Sequence, residues 1–384
     1  MDNSCDDPRT KDAEKSESRK LVKKVFLALL AGLLINVFMG LLIDFGELRT
    51  AFRETSLVAV LVPFMIVFII YVIDTLRFKL VFPKFGVRIS FRDGLYNNII
   101  GYFFCNITPG SVGGQPFQVL HLTRLGLEST IVSNVVFSRL IEGNIVQLFI
   151  VAIFFHKGIG MMASLGKGAF LLIAGMLITI TMTVVLILTF SNPHLLGALA
   201  LRMENSALGK LIAKATKNPC WAEKISVWSQ GLGEGFKVLW SNNMGTMLLD
   251  MLIFMVEQLL WAGSLYIPLA ILTGTASPFP EFLLSYILCG LVSLFIPTPG
   301  AAGSIEAAYL LVLSALTGKP AATMSAILIW RFGAYYLHLL VGGLVYFLKP
   351  MKRAVYKPGK DGILSHIRKR RGAGVRPDRP KAGP

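Results

Sequence analysis

The chain carries little charge for its size. Of 384 residues, 38 are Lys or Arg and 22 are Asp or Glu, 16% in all, whereas a soluble protein carries about 25%. That shortage excludes an ordinary soluble fold. Cysteine is scarce too: Cys5, Cys105, Cys220 and Cys289 stand singly, which excludes a zinc-finger spacing or a disulfide framework. Cys105 and Cys289 fall in apolar runs and read as packing residues. No partner spacing supports His121 and His338 as metal ligands. A nucleophile elbow, an HExxH helix, a P-loop and a Rossmann glycine pattern are all missing, so neither an enzyme nor a cofactor is expected. The longest polar excursion, 191–243, falls short of the usual soluble domain. Residues 1–20 are polar and charged, without the apolar core and cleavage site of a signal peptide; none is expected, and the first span itself would direct insertion.

What is present is hydrophobic sequence: 54% of residues, with a mean hydropathy of +0.63. It comes in continuous runs of about 20 residues, the length of a membrane-crossing helix, and not in the alternating ten-residue segments of a barrel. The fold class expected is an all-α integral membrane protein. Six full spans read at about 22–43, 56–80, 129–155, 168–190, 244–273 and 321–348.

Two more apolar stretches, 94–125 and 281–316, are each cut by a Pro-Gly pair. The first reads Thr108-Pro109-Gly110-Ser111-Val112-Gly113-Gly114 and the second Thr298-Pro299-Gly300-Ala301-Ala302-Gly303. Pro lacks the N–H and Gly gives up backbone order, so each pair stops a helix. The halves are about 15 residues long, too short to cross a membrane at a rise of about 1.5 Å per residue. Both stretches therefore read as re-entrant helix pairs. Unpaired backbone cannot face lipid, so such breaks lie against protein or a watery cavity.

The basic residues orient the spans. The side holding Arg19, Lys20, Lys23 and Lys24 is expected to be cytoplasmic. After two spans the chain returns there with Arg77, Lys79, Lys84, Arg88 and Arg92. A re-entrant first pair keeps Arg124 inside. The next loop, 156–167, holds only Lys157 and Lys167, whereas 191–243 holds six Lys or Arg. The 274–280 loop holds none. A re-entrant second pair then stays outside, and the last span returns the tail. From Lys349 to Pro384 twelve basic residues face Asp361 and Asp378. That tail reads as a cytoplasmic anchor near anionic lipid rather than a nucleic-acid site, and its composition reads as disordered.

The domain reading follows: a polar cytoplasmic terminus over 1–20, a transmembrane domain over 21–349 and a basic tail over 350–384. Within the domain, repeat units at about 56–155 and 244–348 have opposite orientation and are joined by 191–243. That segment mixes Leu195, Leu196 and Leu199 with basic positions and reads as interfacial helices, with Trp221, Trp228 and Trp240 at headgroup level; an ordinary packed loop fits as well. Paired breaks in antiparallel units are the layout of many alternating-access transporters.

Ionisable groups within spans are costly and are candidate functional residues. Arg139 and Glu142 stand at i, i+3, flanked by Asn134, Asn144 and Gln147. Asp250 and Glu257 share a face two turns apart, beside Gln258; they are candidates for proton coupling. Arg331 has Tyr335 at i+4 and His338 at i+7, and Glu306 follows the second break. Asp74 and Arg77, near a cytoplasmic helix end, read equally as a local pair with a snorkelling arginine. Two accounts stay open. In one, Arg139–Glu142 and Arg331–Glu257 or Arg331–Glu306 are structural ion pairs. In the other, Arg139 and Arg331 receive a phosphate or similar anion in a bidentate fork, helped by helix N-termini opening after Gly113-Gly114 and Gly303.

Pro109-Gly110-Ser111-Val112-Gly113-Gly114-Gln115-Pro116, Leu122-Thr123-Arg124-Leu125-Gly126 and Ser138-Arg139-Leu140-Ile141-Glu142 together resemble the first signature of the lysylphosphatidylglycerol synthase transmembrane region, or flippase-like domain family. Pro297-Thr298-Pro299-Gly300-Ala301-Ala302-Gly303-Ser304-Ile305-Glu306-Ala307-Ala308 with Trp330-Arg331 resembles the second. The likeness runs over about residues 20–350. It implies a membrane domain like that of multiple peptide resistance factor, which moves aminoacylated phosphatidylglycerol between leaflets. The family usually has an acid where Gln115 stands and often an arginine where Gln118 stands. The soluble aminoacyl-transferase domain of the full synthase is not in this sequence.

The function expected is a lipid flippase of the plasma (inner) membrane, both termini cytoplasmic, working by alternating access. Substrate-binding residues would be Arg139, Glu142, Arg331, Glu306, Glu257 and Gln115. The broken-helix backbone would be Pro109, Gly110, Gly113, Gly114, Pro299, Gly300 and Gly303. Partners would be membrane lipids with an anionic or aminoacylated headgroup and no nucleic acid, with a homo-oligomer left open. The alternatives are a membrane subunit or enzyme of glycolipid or polyprenyl-linked sugar synthesis, and a small-solute carrier.

Overall fold

The computed structural model describes residue 53 and residues 55–348, apart from 109, 112, 155, 157–168, 205, 207, 208, 210–220, 276 and 293–297. The expected 22–43 span, the 1–20 terminus, the basic tail and Pro109 lie outside the described residues.

The described elements are helical. They are α1 Leu57–Val81, α2 Phe91–Ile107, α3 Gly114–Arg124, α4 Ser129–Ile153, α5 Ala169–Ser191, α6 Pro193–Met203, α7 Trp221–Trp240 and α8 Met244–Thr273. Then come α9 Phe279–Val292, α10 Ser304–Thr317, α11 Pro320–Arg331 and α12 His338–Leu348. A π-helical stretch, Phe332–Leu337, joins α11 to α12. Four helical runs are long and apolar enough to cross a membrane: Leu57–Phe85, Ser129–Ile153, Met244–Thr273 and Pro320–Leu348. Gly175–Ser191, Phe279–Leu291 and Ser304–Thr317 are shorter apolar helices. The protein is an all-α membrane protein.

Burial is arranged for lipid. On α1 the side chains of Leu57, Leu61, Met65, Phe68, Val72 and Leu76 are exposed, while Asp74, Thr75 and Arg77 are buried. Leu248, Leu252, Val256 and Leu259 are likewise exposed on α8, where Asp250 and Glu257 are buried. Apolar faces turned outward over polar groups turned inward are stable only where the surroundings are hydrocarbon.

Each unit has the same order: a long helix, a broken hairpin, a long helix. The units are α1 to α4 and α8 to α12. The helices interlock: α1 packs on α8, α8 on α11, and α12 on α2. The α2–α12 contact is close enough that a Cβ on Gly342 would meet the Phe103 Cβ at 2.4 Å.

The two breaks share one backbone geometry. In the first, Gly110 and Ser111 have φ of 65° and 56°; in the second, Gly300 and Ala301 have 57° and 51°. Two consecutive left-handed residues are costly for a side-chain-bearing residue, and both breaks place the glycine first. In both, the third turn residue closes back on the threonine: Ser111 N donates to the Thr108 carbonyl and Ala301 N to the Thr298 carbonyl, each at 3.1 Å. The breaks also meet. A Cβ on Gly300 would stand 3.0 Å from Oδ1 of Asn106, at the end of α2.

The 191–243 segment contributes α6 and α7, which pack against each other. Trp221 is buried with Ala200 and Ala222, and Trp240 Nε1 donates to Ser138 Oγ on α4 at 3.0 Å. These two tryptophans are packing groups, which favours the packed-segment alternative over a headgroup belt for them. Residues 210–214 lie outside the described residues.

Candidate functional site

The intramembrane charges gather at two places, one beside each break. The first cluster joins α1, α4 and α8 around Arg77. Its guanidinium donates from Nε to Asp250 Oδ1 at 2.8 Å and from Nη2 to Asp250 Oδ2 at 3.3 Å. Nη2 also reaches Glu142 Oε2 and Nη1 reaches Glu257 Oε2, both at 3.2 Å. Asp74 lies 3.6 Å from Nη1. Arg139 pairs with that same Asp74 oxygen, Oδ1, and Tyr102 Oη donates to the other, Oδ2, at 2.8 Å. Arg139 sits over the Phe78 ring and Arg77 over Phe254, which adds cation–π contacts to the ion pairs.

The ion pairing differs from the expectation. Arg139–Glu142 is not the pair: a carboxylate on α4 is shared across helices by Arg77, and Arg139 takes Asp74. Glu257 serves Arg77 and not Arg331. Arg77 is 2% exposed, so the snorkelling reading of it is overturned: four carboxylates on three helices hold its head inside. The signal for this was present. Four acids in the spans exceed what Arg139 alone can balance, and Arg77 is the nearest further cation.

The second cluster is built on the second break. Arg331 Nε donates to Glu306 Oε1 at 2.7 Å and Nη2 to the Gly300 carbonyl at 3.2 Å. Glu306 uses its other oxygen to accept from Gly303 N at 2.7 Å, closing the N-terminus of α10 as a cap does. One carboxylate thus ties the break, the helix start and the arginine together. Tyr335 lies under the guanidinium, 4.6 Å away. The first break has no such acid. There Thr108 Oγ1 accepts from Gly113 N at 2.9 Å, and α3 packs on α2 so closely that a Cβ on Gly114 would meet Cys105 Sγ at 2.3 Å.

A cavity opens beside each cluster. The first, of about 230 Å³, is walled by Asp74, Arg77, Arg139, Glu257, Gly114, Gln115 and Gln118, among others. The second, of about 430 Å³, is walled by Arg331, Gly300, Ser111, Gln258, Trp261, Tyr286, Trp330 and His338, among others. Tyr102, Cys105, Asn144 and Gln147 belong to both walls. Arg139, Glu257 and Gln115 thus face one space and Arg331 the next. Glu142 and Glu306 lie behind the arginines that face the cavities. Gln118 bonds to Asn98 Oδ1 at 3.3 Å. His338 lies against Tyr71 through Nδ1 and stacks on Tyr102, whereas His121 bonds Asn97; the two histidines serve different neighbours.

The match to known proteins covers this whole architecture. The family described as the lysylphosphatidylglycerol synthase TM region matches residues 25–342. A UPF0104 membrane protein of Archaeoglobus fulgidus is 25% identical over 310 residues, covering 76% of this chain and 87% of that protein. With both breaks, both arginines and the helices that carry them inside the matched range, the chain belongs to the lysylphosphatidylglycerol synthase transmembrane-region family.

Proposed function

We propose that the protein moves a polar-headed lipid between leaflets by alternating access. The observation that carries this reading is the pair of adjoining cavities, one at each break, with Tyr102, Cys105, Asn144 and Gln147 in both walls. A headgroup passing from one to the other stays among polar groups while its chains remain outside the bundle. Arg139 and Arg331 would receive its phosphate, each giving up a resting carboxylate, Asp74 or Glu306. Glu257 and Gln115 would contact the rest of the headgroup in the first cavity, and Glu142 would set the charge behind it. The expected substrates are lipids with an anionic or aminoacylated headgroup, in the plasma membrane, with both termini cytoplasmic.

One observation favours a second reading. Amides of Asn106, Asn144, Gln147 and Gln258 line the larger cavity beside Trp261 and Tyr286, and its arginine is already paired. Amides with aromatic faces suit a sugar, so a glycolipid headgroup is the alternative cargo.

The test is movement of headgroup-labelled lipid in proteoliposomes, with anionic, aminoacylated, prenyl-phosphate and glycosylated lipids in parallel. Movement faster than in empty liposomes, lost in Arg139→Gln and Arg331→Gln variants that still fold, is the expected result. Equal rates with and without protein for every lipid would refute the reading.

A further inference from the structure

We infer that Glu142 and Asp250 form a proton-binding site at the centre of the bundle. Among the described residues the cluster that holds them is out of charge balance: Asp74, Glu142, Asp250 and Glu257 face only Arg77 and Arg139, with the neutral Tyr102 hydroxyl on Asp74. These groups lie on α1, α2, α4 and α8; α3, which also walls the cavity, brings Gln115 and Gln118 there and no charge. An excess of two negative charges buried between helices is costly, and one proton halves it.

The geometry shows where a proton sits. Glu142 is fully buried, with one oxygen on Arg77 and the other, Oε1, buried with no hydrogen-bond partner. Arg77 Nη2 draws Glu142 Oε2 and Asp250 Oδ2 to within 3.2 Å and 3.3 Å of one nitrogen. Both carboxylates accept from that one nitrogen, so their oxygens are neighbours across it. Two carboxyls can bond only if one carries the hydrogen, and like charges so close do not both ionise. The chemistry is a single step: a proton from water forms an O–H bond on Glu142 and is donated toward Asp250; release returns it to water. Asp250 keeps its bidentate bond to Arg77 throughout.

Binding of this proton does not depend on what the protein transports; its use to drive lipid movement rests on the flippase reading. The proton site is tested by infrared spectroscopy of the whole protein in lipid. Wild type is expected to show a protonated-carboxyl carbonyl band at neutral pH, shifted in heavy water and lost on alkaline titration. Glu142→Gln is expected to lose it. Asp250→Asn, which keeps an acceptor for Arg77, is expected to shift it and provides a second variant should Glu142→Gln fail to fold. Absence of the band in wild type would overturn the proposal, with a bound cation balancing the cluster instead. A band unchanged in both variants would overturn it too. In proteoliposomes, a pH gradient is expected to speed lipid movement several-fold in wild type and to have no effect in Glu142→Gln. If no lipid moves, the flippase reading falls while the infrared result still decides the proton site.

Discussion

Arg77 holds more of the molecule together than any other described ionic group. Its head bonds carboxylates on α4 and α8 while its stem belongs to α1, so three helices share one cation. Removing one member of a buried ionic network leaves the others unpaired and costs about 3–5 kcal/mol. Arg77→Ala is therefore expected to lower the unfolding midpoint in detergent far more than Arg139→Ala, whose partner Asp74 keeps both Tyr102 and Arg77. Arg77→Lys is expected to fall between wild type and Ala, since an ammonium cannot reproduce the fork that takes both Asp250 oxygens. Equal midpoints for Arg77→Ala and Arg139→Ala would show that the network is not centred on Arg77. This centre was hard to read from sequence because Asp250 and Glu257 are 173 and 180 residues away. Arg139 and Arg331 stood out by their spacing from the breaks, which is local information.

The breaks are the elements whose form follows most directly from sequence. Pro-Gly within an apolar run forbids a continuous helix, and charge counting sets an expectation for the side each hairpin returns to. Less legible was the division of labour between them. Glu306 both caps α10 and holds Arg331, whereas Pro116 occupies the matching place in the first break, and no period or motif announces the π-helical stretch behind Arg331. The second break is accordingly expected to be the more sensitive. At Gly300 the φ is +57° and a Cβ would come within 2.1 Å of Tyr335 Cε2. At Gly318 the φ is +67° but the surroundings are open. Gly318→Ala should cost only the left-handed strain, about 1–2 kcal/mol. Gly300→Ala adds a clash with a buried ring and should be clearly worse, by thermal unfolding and by loss of transport. Glu306→Gln separates the two jobs of that side chain: it keeps an acceptor for Gly303 N but drops the charge. It is expected to retain the fold better than Glu306→Ala, which also loses a cap of about 1 kcal/mol.

At the scale of the whole molecule, an antiparallel arrangement of the two units predicts which faces are exposed, which local geometry does not. If the first hairpin enters from the cytoplasm and the second from outside, the segments flanking them are exposed on opposite sides of one membrane. Arg88, before α2, and Thr275, before α9, are both exposed, and each sits within a few residues of its hairpin. Single cysteines there, in a chain with its four native cysteines replaced by alanine, report the side by labelling with an impermeant maleimide. Arg88→Cys is expected to react only in inside-out vesicles and Thr275→Cys only in intact cells. The result discriminates because the alternatives give different patterns. If the first broken stretch were an ordinary crossing, α8 would run the same way as α1 and both cysteines would label from one side. The breaks would then no longer serve opposite faces, and alternating access between the two cavities would lose its symmetry. Labelling from opposite sides, together with the contact between Gly300 and Asn106, would leave the two hairpins meeting inside the bilayer from opposite directions, the arrangement a lipid headgroup needs to be handed from one cavity to the other.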